Sequence, residues 1–97
     1  MIKKLTETKA EESKFSPSGI HPKYFHTFDL GCSAALISSG FKLVSLDKQN
    51  PKKVKFAFIK ESGIDQAVTD YWSDKIQINA RTFFDNVKML KNRIYSD

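Results

Sequence analysis

The residues best suited to chemistry in this sequence are lysines. The ten residues from Asp47 to Phe56, DKQNPKKVKF, carry four of them around an Asn-Pro turn. Six lysines and one aspartate lie between residues 42 and 60, whereas residues 61–80 hold four acidic residues and one lysine. A local basic cluster is the electrostatic footprint expected where counterions are released from a phosphate backbone. Exposed lysines also keep strand edges from pairing with other chains, so the cluster leaves both explanations open.

A second basic group lies in the last predicted helix of a chain whose net charge is +5. With the lysines of residues 42–60 it would form one basic side of the molecule, with the acidic residues gathered on the helix between them. We therefore predict phosphate contacts from one set of residues: Lys42, Lys48, Lys52, Lys53, Lys55, Lys88, Lys91 and Arg93.

The segment KFAFIK resembles part of the third-strand octapeptide of RNA-recognition motifs, in which two aromatic residues stack on bases from an open sheet face. The residues from Phe56 to Ile59 match four consecutive positions, whereas Lys55 replaces the glycine and Glu61 the last aromatic residue. We therefore expect Phe56 and Phe58 to be buried beneath the last helix, which carries Phe83 and Phe84.

Enzymatic motifs are absent from the sequence. No phosphate-binding glycine loop, dinucleotide fingerprint or nucleophile elbow occurs. His21, His26 and Cys32 lack the spacing of metal ligands, and Cys32 lies in the apolar run LGCSAALI, where a free cysteine is usually a small buried side chain. We expect a protein that is not an enzyme and has no metal or cofactor. A small toxin-type ribonuclease using Arg81, Tyr95 and His26 is kept as a second alternative.

Length and composition predict one folded domain. The 97 residues are 40% hydrophobic and 12% aromatic, enough for a single core. Residues 1–23 are polar, carry two prolines and are predicted to form a flexible arm, with a compact domain over residues 24–97. No apolar run approaches the roughly 18 residues that span a bilayer, and the first residues lack a secretory h-region, so we expect a cytoplasmic protein without membrane contact.

The pattern of apolar residues predicts the element order β-α-β-β-α-β-α. Asp29 and Gly40 bound a helix that is apolar or small on nearly all sides and is therefore expected to be buried. Two strands then flank the Asn-Pro turn and should pair antiparallel, with the second covered on both faces.

The second half of the chain adds two helices and one short strand. Ser62 is expected to cap a helix with the apolar stripe Ile64, Ala67, Val68, Tyr71 and Trp72. A short strand over KIQINA follows, and Asn79 is expected to cap the final helix. The order fits an α+β fold of the ferredoxin-like, split-βαβ type. The alternative is a three-stranded antiparallel sheet with helices packed on it, if the segment from Tyr24 to Phe28 does not pair.

Four segments, DLGCSAALISSGFKL, DKQNPKKVKFAF, YW and NARTFFDNVKMLKNRIY, together resemble a small domain family of unknown function associated with bacterial genomes and phages. The resemblance spans Tyr24 to Tyr95. It implies a cytoplasmic protein, often of mobile elements, and supplies no activity or functional residue.

We therefore expect a protein that binds DNA or RNA through its basic hairpin and last helix. The alternative is a protein–protein module, such as a phage-borne inhibitor or an accessory subunit of a larger nucleoprotein complex. Its acidic helix or an exposed aromatic patch would make the contact.

Overall fold

Three strands and three helices make up the part of the chain that the computed structural model describes, residues 23–50 and 52–96. The predicted α+β class is confirmed. The predicted arm over residues 1–23 lies outside the described residues except for Lys23. The elements, in chain order, are β1 (Tyr24–Thr27), α1 (Leu30–Ser38), β2 (Leu43–Asp47), β3 (Lys55–Ile59), α2 (Ile64–Trp72) and α3 (Ala80–Tyr95).

The sheet has the strand order β1-β3-β2, and β3 runs antiparallel to both neighbours. The predicted antiparallel pairing of β2 with β3 is therefore confirmed. The segment from Tyr24 also pairs, with Phe25 opposite Phe58. Because β3 lies between β1 and β2, the strand–helix–strand unit β1-α1-β2 is split by an inserted strand, as in the first part of the ferredoxin-like pattern. The last strand of that pattern is not formed, so the described sheet is the three-stranded antiparallel alternative, although the segment from Tyr24 does pair.

A bulge in β2 decides which of its side chains face the core. Leu43 pairs with Phe58 and Leu46 pairs with Phe56, although the two leucines are three residues apart and strict alternation would put them on opposite sides. Val44 and Ser45 together occupy the space opposite Ala57. The extra residue restores the alternation, so both leucines pack with the core.

Phe56 and Phe58 are almost completely buried and belong to one core cluster with Leu36, Ile64 and Leu90 of the helices. Their predicted burial is confirmed. The prediction that β3 is covered on both faces holds at the centre of the strand, because Ala57 on the other side is also buried, with 8% of its surface exposed, while Lys55 and Ile59 are partly buried. Neither Ala57 nor Ile59 belongs to the core cluster, so the described helices pack on the side of Phe56 and Phe58.

Helix α1 is buried along five consecutive residues, from Cys32 to Leu36. The Asp29 carboxylate caps its first turn by accepting a hydrogen bond from the Cys32 amide at 2.7 Å. The helix ends at Ser38, and Gly40 follows its C-cap with a φ of +100°, a left-handed conformation that glycine adopts without a steric penalty. The predicted cap, burial and end of this helix are all confirmed.

Helix α2 begins one residue later than the sequence predicted. Gly63, with φ of +94°, occupies the N-cap position, and no side chain caps the helix there, so the predicted Ser62 cap is wrong. Ile64, Ala67, Val68 and Tyr71 pack with the core as expected. Trp72 does not, because it is 62% exposed at the end of the stripe.

The predicted strand over residues 75–80 is not formed, and the chain connects α2 to α3 there. Asp74 adopts a left-handed conformation with φ of +62°, and the amides of Lys75 and Ile76 both donate to the Asp70 carbonyl. These bonds satisfy the last carbonyls of α2, as in a helix C-cap. Amides used in this way cannot join a sheet, so the alternation of Ile76 and Ile78 indicated packing rather than strand pairing.

Helix α3 begins where the sequence predicted, because the Asn79 side chain accepts hydrogen bonds from the amides of Arg81 and Thr82. Its inner side carries Leu90, which is fully buried, and Phe83, which packs against the core. Phe84 is 59% exposed, so only one of the two phenylalanines lies where it was expected.

The packing of α2 on α1 predicts a specific cost for a side chain at Gly31. A Cβ there would collide with the Tyr71 hydroxyl. We expect Gly31→Ala to lower the free energy of unfolding by about 1–3 kcal/mol, the usual cost of overpacking. Urea unfolding monitored by circular dichroism measures the change.

Tyr71→Phe supplies the control, because it removes the oxygen that the new methyl group would meet. In that background Gly31→Ala should cost little, since the remaining neighbours lie at ordinary contact distance of about 3.4 Å. An equal loss of stability with and without the Tyr71 hydroxyl would show that the collision is not the cause.

Candidate functional site

The side of the sheet that faces away from the core carries the residues that could form a binding site. Side chains alternate along a strand, and Phe25, Phe56 and Phe58 point into the core, so the residues next to them point away from it. We call this side the open face. It carries Tyr24, His26, Val44, Ser45, Asp47, Lys55, Ala57 and Ile59.

Aromatic rings follow β1 along the open face. Tyr24 and His26 lie two residues apart, with ring centroids at 6.4 Å and planes tilted by 50°. Phe28 continues the same alternation beyond the end of β1. Tyr24 is 45% and Phe28 51% exposed, so both rings offer surface to a ligand. We call Tyr24, His26 and Phe28 the aromatic row.

The aromatic row ends in a cleft of about 280 Å³ at the turn end of the β2–β3 hairpin. Its floor is set by the sheet, where Asp47 pairs with Lys55. The Lys53 ammonium lies 4.6 Å from the centre of the Phe28 ring, a cation–π contact. The cleft is lined by Phe28, Asp47, Gln49, Asn50, Lys53 and Lys55.

Positive charge dominates this cleft. Lys53 and Lys55 face one carboxylate, that of Asp47, which accepts a hydrogen bond from the Gln49 amide at 2.9 Å. Within residues 23–50 and 52–96, the one side-chain ion pair joins Lys60 to Asp65 at 4.0 Å, outside the cleft. An anion entering the cleft therefore meets two ammonium groups, neither of which forms an ion pair with a described carboxylate.

Lys48 binds the C-terminal end of α3 and does not line the cleft. Its ammonium group donates hydrogen bonds to the carbonyls of Arg93, at 3.1 Å, and Ser96, at 2.7 Å. These carbonyls lie at the C-terminal end of α3, where a positive charge is stabilising. Lys48 therefore joins the hairpin to α3 and holds the backbone of Arg93 close to the hairpin. Its ammonium group is already hydrogen-bonded within the protein.

The other predicted contact residues divide between two surfaces. Lys42 and Lys52 are exposed on the basic hairpin. Lys88 and Lys91 are exposed on α3, about 160° and 100° around the helix from the buried Leu90 at 3.6 residues per turn. Because the sheet and α3 bury their inner sides against one core, their outer sides face different directions. The structure thus brings together Lys53 with Lys55 and Lys48 with Arg93, and it places Lys88 and Lys91 on a separate stripe.

A second surface lies beside the connector between α2 and α3. An apolar groove of about 240 Å³ is lined there by Tyr71, Ile76, Ile78, Ala80 and Phe83. The exposed Trp72 packs edge-on against Tyr71, with ring centroids 5.0 Å apart. Most of this surface comes from the acidic segment of residues 61–80.

The three residues considered for ribonuclease chemistry do not share a site. Arg81 and Tyr95 lie near opposite ends of α3, about 21 Å apart along its axis at the usual helical rise. His26 lies on the open face. General acid–base groups have to converge on one bond, and these three residues do not.

No group of three or more His, Cys, Asp or Glu side chains is arranged to hold a metal ion among the described residues; His21 lies outside them. Burial, reinforced by the nearby Asp29 carboxylate, raises the pKa of the Cys32 thiol from 9.0 to about 11. That thiol is therefore protonated at neutral pH and poorly suited to nucleophilic chemistry. In the same described part of the chain, no helix is long and apolar enough to cross a membrane.

Sequence reasoning missed the aromatic row. The only aromatic residues weighed for base stacking were Phe56 and Phe58 of β3, which were expected to be buried and are buried. The usable signal was the spacing of Tyr24, His26 and Phe28 at every second position, which puts three rings on one side of a strand.

Comparison with known proteins gives one match. A family model described as a domain of unknown function (DUF5659) matches residues 22–96. No curated protein and no solved structure matches the chain.

The raised pKa of Cys32 predicts how stability depends on pH. Below pH 9 the thiol is protonated in the folded and the unfolded chain. Between pH 9 and about 11 the unfolded chain loses this proton while the folded chain keeps it, so the free energy of unfolding falls. The expected loss is about 2–3 kcal/mol across this window, and urea unfolding at a series of pH values measures it.

Cys32→Ala is the matched control, because alanine does not titrate. The variant should lose less stability than the parent over the same pH range, whatever its stability at neutral pH. Part of the fall should remain, since burial also raises the pKa of Tyr71. Parallel pH profiles for the two proteins would contradict the assignment to Cys32.

Proposed function

We propose that this chain, which belongs to the DUF5659 family of domains of unknown function, is a non-enzymatic protein that binds nucleic acid through its phosphate backbone. The observation that carries the proposal is the cleft at the turn end of the β2–β3 hairpin. Lys53 of the turn and Lys55 of the open face both line this cleft, beside the exposed Phe28 ring and without a described ion-pair partner. Ammonium groups arranged in this way suit phosphates along a polyanion.

The cation–π contact between Lys53 and Phe28 is weaker than the contact that the Lys53 ammonium group could make with a phosphate. An exposed cation–π contact is worth about 0.5–1 kcal/mol. Hydrogen bonds to a charged group contribute about 1.5–3 kcal/mol, and counterion release adds a favourable entropy. A phosphate at the cleft therefore outcompetes the ring for this ammonium group.

The remaining basic residues contribute unequally in this proposal. Lys42 and Lys52, exposed on the same hairpin, extend the phosphate-binding surface. Lys48 holds the hairpin against α3 by donating to the backbone carbonyls of Arg93 and Ser96, and the Arg93 side chain is exposed. Lys88, whose ammonium lies 5.3 Å from the Phe84 ring, and Lys91 form a second basic stripe for a longer or bent ligand. Contacts to phosphate carry no sequence information, so binding should be weakly sequence-specific. Such a ligand fits the cytoplasmic location expected from the sequence.

Substitution of Lys53 and Lys55 by alanine tests the proposal. Each lost phosphate contact reduces the slope of log K against log salt by about 0.7 for a single strand and about 0.9 for a duplex. We therefore expect a reduction of roughly 1.4–1.8 for the double variant and weaker binding at every salt concentration. Fluorescence anisotropy of labelled DNA and RNA across a salt series measures both quantities.

Two control variants keep the result specific. Lys75→Ala removes an exposed lysine from the acidic segment of residues 61–80 and should leave the slope unchanged. Lys88→Ala with Lys91→Ala shows whether the stripe on α3 takes part. No binding of the parent protein to any nucleic acid at low salt would refute the proposal.

The groove beside Trp72 favours a second candidate function, contact with a protein partner. A tryptophan that is 62% exposed next to an apolar groove is typical of interface hot spots. We expect Trp72→Ser to abolish capture of such a partner without changing nucleic-acid affinity. A protein that binds no nucleic acid but loses a discrete partner on this substitution would establish the second function instead of the first.

A further inference from the structure

We propose that the open face binds a single-stranded polynucleotide, with its bases stacked on the aromatic row of Tyr24, His26 and Phe28. This inference rests on the proposed function and names its ligand more closely. The lysines of the cleft would bind the phosphates of any nucleic acid. The aromatic row would in addition stack on the faces of unpaired bases.

The aromatic row has the composition and accessibility that base stacking needs. Phenylalanine, tyrosine and histidine are among the side chains on which unpaired bases stack. Tyr24 and Phe28 are each about half exposed, and His26 between them is also exposed. Ala57 stands beside His26 on the central strand and, with 8% of its surface exposed, offers little surface of its own to a ligand.

The lysines lie where the backbone of such a strand would run. Phe28 ends the row within the cleft that contains Lys53 and Lys55. A base stacked on Phe28 places its own phosphate near these two ammonium groups. Basic groups that follow the backbone beside rings that take the bases are the combination found in surfaces that bind single strands.

The same geometry disfavours a duplex as the ligand of this face. In a duplex the faces of the bases are already stacked on each other, and only their edges are open in the grooves. Rings standing on a sheet can meet base faces only where the bases are unpaired. Stacking is independent of the sugar, so DNA and RNA single strands should both bind.

The test uses the full-length protein and fluorescence anisotropy with three labelled ligands of equal length. One is a single strand, one the same strand with abasic sites in place of its bases, and one a duplex. The parent protein should bind the intact single strand at least about tenfold more tightly than the abasic strand, since each lost stack costs about fivefold or more. Equal affinity for these two strands would overturn the inference without any variant.

The variant Tyr24→Leu with Phe28→Leu removes two rings but keeps apolar side chains and all charges. It should lose the preference for the intact strand while the salt slope stays that of the parent. Phe84→Leu, an exposed ring on α3, is the matched control and should keep the preference. Circular dichroism verifies that each variant is folded.

The outcomes separate the two proposals. Binding that depends on Lys53 and Lys55 but ignores the bases and the two rings would overturn the stacking inference and leave the phosphate-binding proposal standing. Absence of binding to all three ligands would overturn both.

Discussion

The burial of α1 is the constraint on which the rest of this domain depends. Five consecutive residues of the helix, from Cys32 to Leu36, lie out of reach of solvent. A helix of this kind has no outward side and has to be enclosed on every side. Its small residues allow close approach, and the collision that a methyl group on Gly31 would cause shows how closely Tyr71 packs there. The sheet covers α1 with one side only, which leaves the open face to the outside.

The bulge in β2 completes this division of the sheet. By adding one residue opposite Ala57, it directs Leu43 and Leu46 into the core and turns Val44, Ser45 and Asp47 outwards. The polar and charged groups of two adjacent strands therefore meet on one surface, beside the rings of β1. A single backbone irregularity thus supports the core and arranges the candidate site.

Much of the fold could be predicted from local signals. Asp29, Gly40 and Asn79 bound their helices as expected, because capping depends on the side chain and the next few amides. The strand at residues 75–80 could not be excluded locally, since the alternation of Ile76 and Ile78 suits strand pairing and packing equally well. The strand is prevented by the left-handed backbone conformation of Asp74, which sequence patterns do not predict for a residue other than glycine.

The site was harder to predict than the fold. Clustering of lysine is visible in the sequence, but the direction of each side chain depends on which side of the sheet the helices cover. Phe56 and Phe58 fill the core as predicted, whereas nothing in the sequence analysis had singled out Tyr24, His26 and Phe28 as the rings that remain outside. Lys48 was equally unpredictable, because the carbonyls that it contacts lie at the far end of the chain.

The pairing of β1 with β3 has a kinetic consequence. Asp47 meets Lys55 across a short loop, whereas Tyr24 has to find Ile59 after thirty-five residues. Closing the longer loop costs more chain entropy, so we expect the β2–β3 ribbon to form early and β1 to dock afterwards. The rings of β1 therefore reach their lysine neighbours only after this longer loop has closed, so the aromatic row is assembled later than the basic hairpin beside it.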